Sequence, residues 1–256
     1  MRRPAQPSAF VRLQVRDRPL GSPVMFQKWR DLLFLHWAYD VTAIQRTLPA
    51  GLYVDTFHGK AYLGIVPFFI RDVRPRFFPT FPGVSDFLEL NFRTYVYDDR
   101  GIPGIWFYSL DANQWLAVQA ARILFHLPYY YAAMQAETNS ERKAIRYSSH
   151  RHGSPRRLET GFVYRSLSNR RQAEIGTLGF FLIERYVLFA YTEKNRRLYS
   201  GRVWHLPYPL EDADVGEWDA NLFALDGFSP PESNPDHIIM SPGVDVDVFR
   251  LELVAA

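Results

Sequence analysis

A chain of 256 residues, 47% hydrophobic and 16% aromatic, carries enough apolar side chain to bury a sizeable core, which excludes a disordered protein. It has no cysteine, so disulfides, thiolate metal sites and cysteine nucleophiles are excluded. Its net charge of +3, from 30 basic and 27 acidic residues, makes no charge-based case for nucleic acid.

Residues 1–22 are rich in Pro and Arg and are read as a loose arm. No signal peptide is expected in the arm, because Arg12, Gln14, Arg16 and Asp17 interrupt its apolar residues. No segment of the chain offers ~18 uninterrupted apolar residues, so no membrane span is expected. A cytoplasmic protein is expected, with residues 23–256 forming one domain. The run FQKWRDLLFLHWAYD is either a short helix or a strand, since its periodicity fits both. Leu52–Phe57 and Ala61–Val73 read as strands joined by a tight turn at His58-Gly59. RPRFFPTFPGVSD reads as a loop.

Leu88–Asp98 is the most informative strand. Its alternation puts Leu88, Leu90, Phe92, Thr94 and Val96 on one face and Glu89, Asn91, Arg93, Tyr95 and Tyr97 on the other. Asp98-Asp99-Arg100-Gly101 turns the chain into a strand over Ile105–Leu110. A helix follows, with Asp111 as N-cap and Gln114 three residues on. It ends near Phe125, before Pro128. Leu116, Ala117, Ala120, Ala121, Leu124 and Phe125 form its apolar stripe, and Gln119, Arg122 and His126 a polar one. The second half reads as strands over 130–138, 144–149 and 162–167, then a short helix over 173–184. Strands in ERYVLFAYT and RRLYSGRVWHLPYPL, an irregular helix in DADVGEWDANLFALDGF and an alternating strand in IIMSPGVDVDVFRLELV complete it.

Dinucleotide-binding, phosphate-loop, zinc-protease and nucleophile-elbow motifs are all missing. His150 and His152 sit in an Arg-rich stretch, the wrong charge for a metal, and no metal or other cofactor is expected. The basic stretch Arg142–Arg171 is read as a solvated hairpin or loop, with no nucleic-acid partner.

Three candidates for chemistry remain. The polar face of Glu89, Asn91, Arg93 and Tyr95 is either a wet sheet face or the lining of a ligand cavity. The same choice applies to Gln119, Arg122 and His126. His36, on an apolar segment, is either a satisfied core residue or a functional one. Tyr129, Tyr130 and Tyr131 either pack alternately along a strand or donate hydrogen bonds to a bound carboxylate or carbonyl.

Seven stretches occur together in order: FQKWRDLLFLHW, LPAGLYVDTFHGKAYLGIVPF, PGVSDFLELNFRTYV, GIWFYSLDA, AARILFHLPYYYAAM, FLIERYVLF and MSPGVDVDV. They resemble the YqjF-like family, whose fold is that of acetoacetate decarboxylase, over roughly residues 24–252. The resemblance implies an α+β protein, mostly antiparallel sheet, curled into a barrel or cone around a central cavity with a few short helices. The decarboxylases carry a Schiff-base lysine after a helix, and a cavity glutamate. The lysine position here holds Tyr129, and Glu89 matches the glutamate. A phenol cannot form an imine, so the Schiff-base route lacks its amine.

The resemblance therefore implies a pocket for a small carbonyl or carboxylate compound. Glu89 and Tyr129 would be its chemical pair, with Asn91, Arg93, Tyr95, Arg122, His36 and Tyr131 as ligand contacts. Its alternatives are a non-covalent lyase or isomerase acting on a carbonyl substrate, and a non-catalytic interaction protein. Oligomerisation is left open.

Overall fold

The computed structural model describes residues 4–139, 143–167 and 169–254. The first elements are α1 (Ala9–Gln14), β1 (Met25–Tyr39), α2 (Val41–Gln45), β2 (Leu52–Val54), β3 (Ala61–Pro75), β4 (Phe87–Asp98) and β5 (Pro103–Ala112). Next come α3 (Trp115–Phe125), β6 (Tyr129–Asn139), β7 (Ala144–Arg151), β8 (Thr160–Ser166), α4 (Leu178–Ile183), β9 (Val187–Thr192) and β10 (Arg197–Trp204). The chain finishes with β11 (Ala213–Trp218), α5 (Asn221–Leu225), β12 (His237–Val248) and β13 (Glu252–Leu253). No helix among the described residues is long and apolar enough to cross a membrane.

The strands form one mostly antiparallel sheet in the order β11-β8-β7-β6-β5-β9-β10-β12-β1-β3-β4-β2, with β13 on β10. Strand β5 is its branch point. One edge pairs with β4. The other divides, Ile105 and Trp106 pairing with β9 and Leu110 to Ala112 with β6. The path β5-β9-β10-β12-β1-β3-β4 therefore returns to β5 as a ring of strands, and β6, β7, β8 and β11 leave it as a second layer.

That layering explains why β4 is buried along its whole length. Leu88, Leu90 and Phe92 pack with Leu33, Leu35, Trp37, Leu63 and Ile65, against Ala132, Met134, Tyr147 and Phe162 of the second layer. A second core takes the other face, with Leu32, Phe34, Val66, Phe68, Tyr95, Val203 and Val246. Burying both faces of a strand is what lets a polar alternation end up inside the molecule.

Several elements differ from the sequence-based expectations. FQKWRDLLFLHWAY takes the strand form of its two readings, as β1, whereas DADVGEWDANLFALDGF holds an unexpected strand, β11, before its expected helix, α5. The second-half helix begins only after Thr177, whose Oγ1 accepts from the Phe180 N–H. His58-Gly59 does turn the chain, both residues at positive φ, but a single Phe57–Lys60 bridge spans it. The true partner of β2 is β4, through Leu52–Asp98, Tyr53–Tyr97 and Val54–Val96.

Asp111 is not the helix cap: it stays extended in β5, opposite Leu90 and Tyr130. Gln114 caps α3 instead, its side chain accepting from the Leu116 N–H at 3.0 Å. The basic stretch takes the hairpin form of its two readings, with β7 paired antiparallel to β8, but it is not solvated throughout. Arg142 lies outside the described residues. Alternation carries Arg151 onto the buried face with Ile145 and Tyr147, where it binds Asp111 at 2.8 Å and Asp226 at 3.1 Å.

The segment read as a loose arm carries α1 and is held to the body. Arg12 grips buried Asp55 with two hydrogen bonds of 2.7 Å, and Arg185 meets the same carboxylate at 2.9 Å. The Tyr97 hydroxyl donates to the Pro4 carbonyl.

Candidate functional site

Each strand of the ring contributes to one pocket of about 440 Å³, and α3 covers it. Three polar side chains enter from alternate positions of β4: Glu89, Asn91 and Arg93. They are the face that the sequence left ambiguous, and the structure encloses it. Most of the remaining wall is apolar, including Val66, Phe68, Leu110, Leu188 and Val203.

Tyr129 opens β6 three residues after the left-handed His126 that ends α3. Its hydroxyl donates to Glu89 Oε2 at 2.7 Å. Strand β5 sets this approach, because Leu110 pairs with both Asn91 and Tyr129 while Ala112 pairs with Glu89. Glu89 is 3% exposed. Burial pushes its carboxyl up to about 8, against the opposing pull of the Tyr129 hydrogen bond. Burial, with the Glu89 charge beside it, holds the Tyr129 phenol well above its ordinary value, so it remains a donor.

Arg93 is 7% exposed, yet has no carboxylate partner among the described residues. Its guanidinium lies by the Phe34 and Tyr95 rings at 5.5 and 5.7 Å, and its Nε has no hydrogen-bond partner. Asn91 Oδ1 is also unpartnered. A buried guanidinium with an unpartnered N–H facing a pocket is what a hydrogen-bonding anion would complete, while the Asn91 oxygen would accept from a donor group. Arg185 also reaches the pocket, but Asp55 already neutralises it, and burial brings it down to about 10.

The other expected contacts lie elsewhere. Tyr95 shares the inward face of β4 but is sealed in the core, its hydroxyl 2.6 Å from His36 Nε2. His36 Nδ1 meets His237 Nδ1 at 3.1 Å. Burial, then the charges of His237 and Arg93, push His36 well below its ordinary value, so it is a neutral core imidazole. Gly64 makes room for that ring: a Cβ there would stand 2.8 Å from His36 Cδ2. Arg122 points away from the pocket-lining stripe of α3 and donates to the Tyr129 carbonyl at 2.7 Å. Tyr131 is half exposed beside His152.

Arg185 and the true place of the α3 stripe were missed. Arg185 stands between two apolar runs in FLIERYVLF, a pattern that signals a buried charge. Ala117, Ala120, Ala121 and Leu124 line open space rather than closing a core. None of the four lysines lines the pocket. No group of three or more His, Asp or Glu among the described residues is placed to hold a metal.

Comparison with known proteins gives a family and a fold. Residues 26–245 match the family DUF2071, described as an uncharacterized conserved protein. The uncharacterized protein YqjF of Bacillus subtilis (strain 168) is 40% identical over 219 residues, which cover 85% of this chain and 87% of that protein. The enduracididine biosynthesis enzyme MppR, in a structure complexed with pyruvate, superposes with a TM-score of 0.61 at 13% identity, covering 93% of each chain. Acetoacetate decarboxylase from Legionella pneumophila superposes with a TM-score of 0.59 at 11% identity, covering 93% of this chain and 91% of that one.

Proposed function

The chain belongs to the DUF2071 family and has an acetoacetate decarboxylase-like fold, and from that premise we propose that it binds a small carbonyl or carboxylate compound. In this reading the ring of strands acts as a barrel around its ligand. Arg93 receives the carboxylate, Asn91 Oδ1 accepts from a donor group of the ligand, and Glu89 and Tyr129 meet the carbonyl. The observation that carries the proposal is a buried, unpaired guanidinium sharing a pocket with a carboxyl–phenol pair. A pocket of about 440 Å³ also weighs against a barrel filled by its own side chains.

A second reading, non-covalent proton transfer next to a carbonyl, is favoured by the Glu89 carboxyl at about 8. A group poised near neutrality can take a proton and return it. Once Glu89 has taken that proton, the Tyr129 hydroxyl would turn from it and donate to the developing enolate oxygen. Covalent imine chemistry has no support, because no lysine lines the pocket.

The test is a thermal-shift and calorimetric titration with pyruvate, acetoacetate and related oxo acids. Binding to the folded state alone raises its melting temperature by mass action. The expected result is a shift that Arg93→Met and Glu89→Gln remove. A folded protein that binds none of these acids would overturn the proposal. The catalytic reading predicts deuterium uptake at the carbon next to the carbonyl of a bound acid, lost in Glu89→Gln. Bound acid that exchanges no faster than in buffer would leave binding without catalysis.

A further inference from the structure

The pocket holds buried polar side chains and opens at an apolar rim. Glu89, Asn91, Arg93 and Arg185 are all buried. The rim is hydrophobic: Phe78 is 59% exposed, Phe81 50%, Leu116 53% and Leu124 65%. Helix α3, with the sequence WLAVQAARILF, buries only Val118. Its small residues Ala117, Ala120 and Ala121 face the pocket. Apolar surface left open in this way next to unsatisfied polar groups marks a place for an amphipathic ligand. The unpartnered Arg93 Nε and Asn91 Oδ1 supply the independent sign that something polar belongs at the inner end. A three- or four-carbon oxo acid would occupy only a small part of the space.

We infer that the ligand is a medium- to long-chain oxo acid, its carboxylate and carbonyl at the β4 floor and its hydrocarbon chain running out beneath α3 to the Phe78–Phe81 rim. The inference rests on the binding function proposed above and adds the substrate class. The floor recognises the acid, and the Ala stripe sets the length of tail that fits. Lining the exit with small residues keeps the channel wide where larger ones would close it on the sheet.

The test titrates the full chain with pyruvate and with the saturated acids from butanoate to dodecanoate. Each added methylene is expected to tighten binding roughly fourfold, equivalent to ~0.8 kcal/mol, until the tail reaches the rim. Arg93→Met is expected to weaken the whole series. Ala120→Phe and the milder Ala121→Leu should abolish the gain from the longer acids and leave pyruvate unchanged. Ala120 is exposed, so its substitution leaves folding intact.

Pyruvate binding that needs Glu89 and Arg93, with affinity flat along the series, would overturn the tail and leave the proposed function standing. Length-dependent binding that ignores Arg93→Met and Glu89→Gln would be detergent-like adsorption and would overturn both. Failure of every acid to bind the folded protein would likewise overturn both.

Discussion

The Tyr129 hydroxyl reaches Glu89 over the intervening strand β5, so two residues forty positions apart form one hydrogen-bonded pair at 2.7 Å. The pair is a proton reservoir inside an apolar pocket, and its titration is coupled to folding. The Glu89 carboxyl sits at about 8 in the fold against an ordinary 4.5. The folded state therefore holds a proton that the unfolded chain releases, and stability falls as pH rises from about 4.5 to about 8. The loss amounts to ~5 kcal/mol at the usual conversion per pKa unit. Glu89→Gln, which cannot ionise, should match the parent at acid pH and exceed its stability by a few kcal/mol above pH 8. Urea unfolding across this window checks it, and parallel curves for the two proteins would sink the assignment.

Tyr129→Phe and Tyr95→Phe remove the same atom from neighbouring sites with different consequences. The first deletes the hydrogen bond that favours the Glu89 carboxylate, so the Glu89 titration, followed by its infrared carboxyl band, should move up in pH and ligand affinity should drop. The second leaves buried His36 Nε2 without its partner and should cost ~1–3 kcal/mol of stability with ligand affinity intact. The reverse pattern would place the site around His36 instead.

Arg151 holds two buried carboxylates together. Burial already raises Asp111 to about 6 despite that cation. Arg151→Met should therefore destabilise the fold by roughly 3–5 kcal/mol at neutral pH. The deficit should shrink in acid, where Asp111 can take a proton. A deficit independent of pH, in denaturation at pH values on either side of 6, would count against this account.

Gly243 has a φ of 130°, and a Cβ there would lie 2.0 Å from the Trp29 carbonyl oxygen, where β12 crosses close to β1. Gly243→Ala should cost at least ~3 kcal/mol, combining backbone strain with the overlap. Gly216→Ala meets only the Val163 carbonyl at 4.0 Å and should stay within ~0.5 kcal/mol. Melting curves of the two variants compare them directly, and equal costs would refute the close approach.

Local signals in the sequence were read correctly where their cause is local. The two-residue alternation of Leu88–Asp98 separated the faces of β4, because side chains of a strand alternate whatever surrounds it. The Asp98–Gly101 turn and the end of α3 before Pro128 follow from backbone chemistry within a few residues. The ordered stretches resembling the YqjF-like family carried the fold, which the family match and the structural likeness bear out.

What covers each face was decided only by tertiary structure. Glu89 and Tyr95 share one face of β4, yet Glu89 lines a pocket and Tyr95 is sealed against His36. The expected Leu52–Phe57 hairpin lost its pairing to β4, and Asp111 stayed in β5 because Arg151, distant in sequence, binds its carboxylate. Arg122 followed its place on the helix away from the pocket. Sequence by itself determined which side chains can lie together on a strand or helix, because periodicity is a property of the backbone. The fold decided which faces are paired, packed or left open, because strand pairing and burial depend on chain segments far apart that no local pattern specifies.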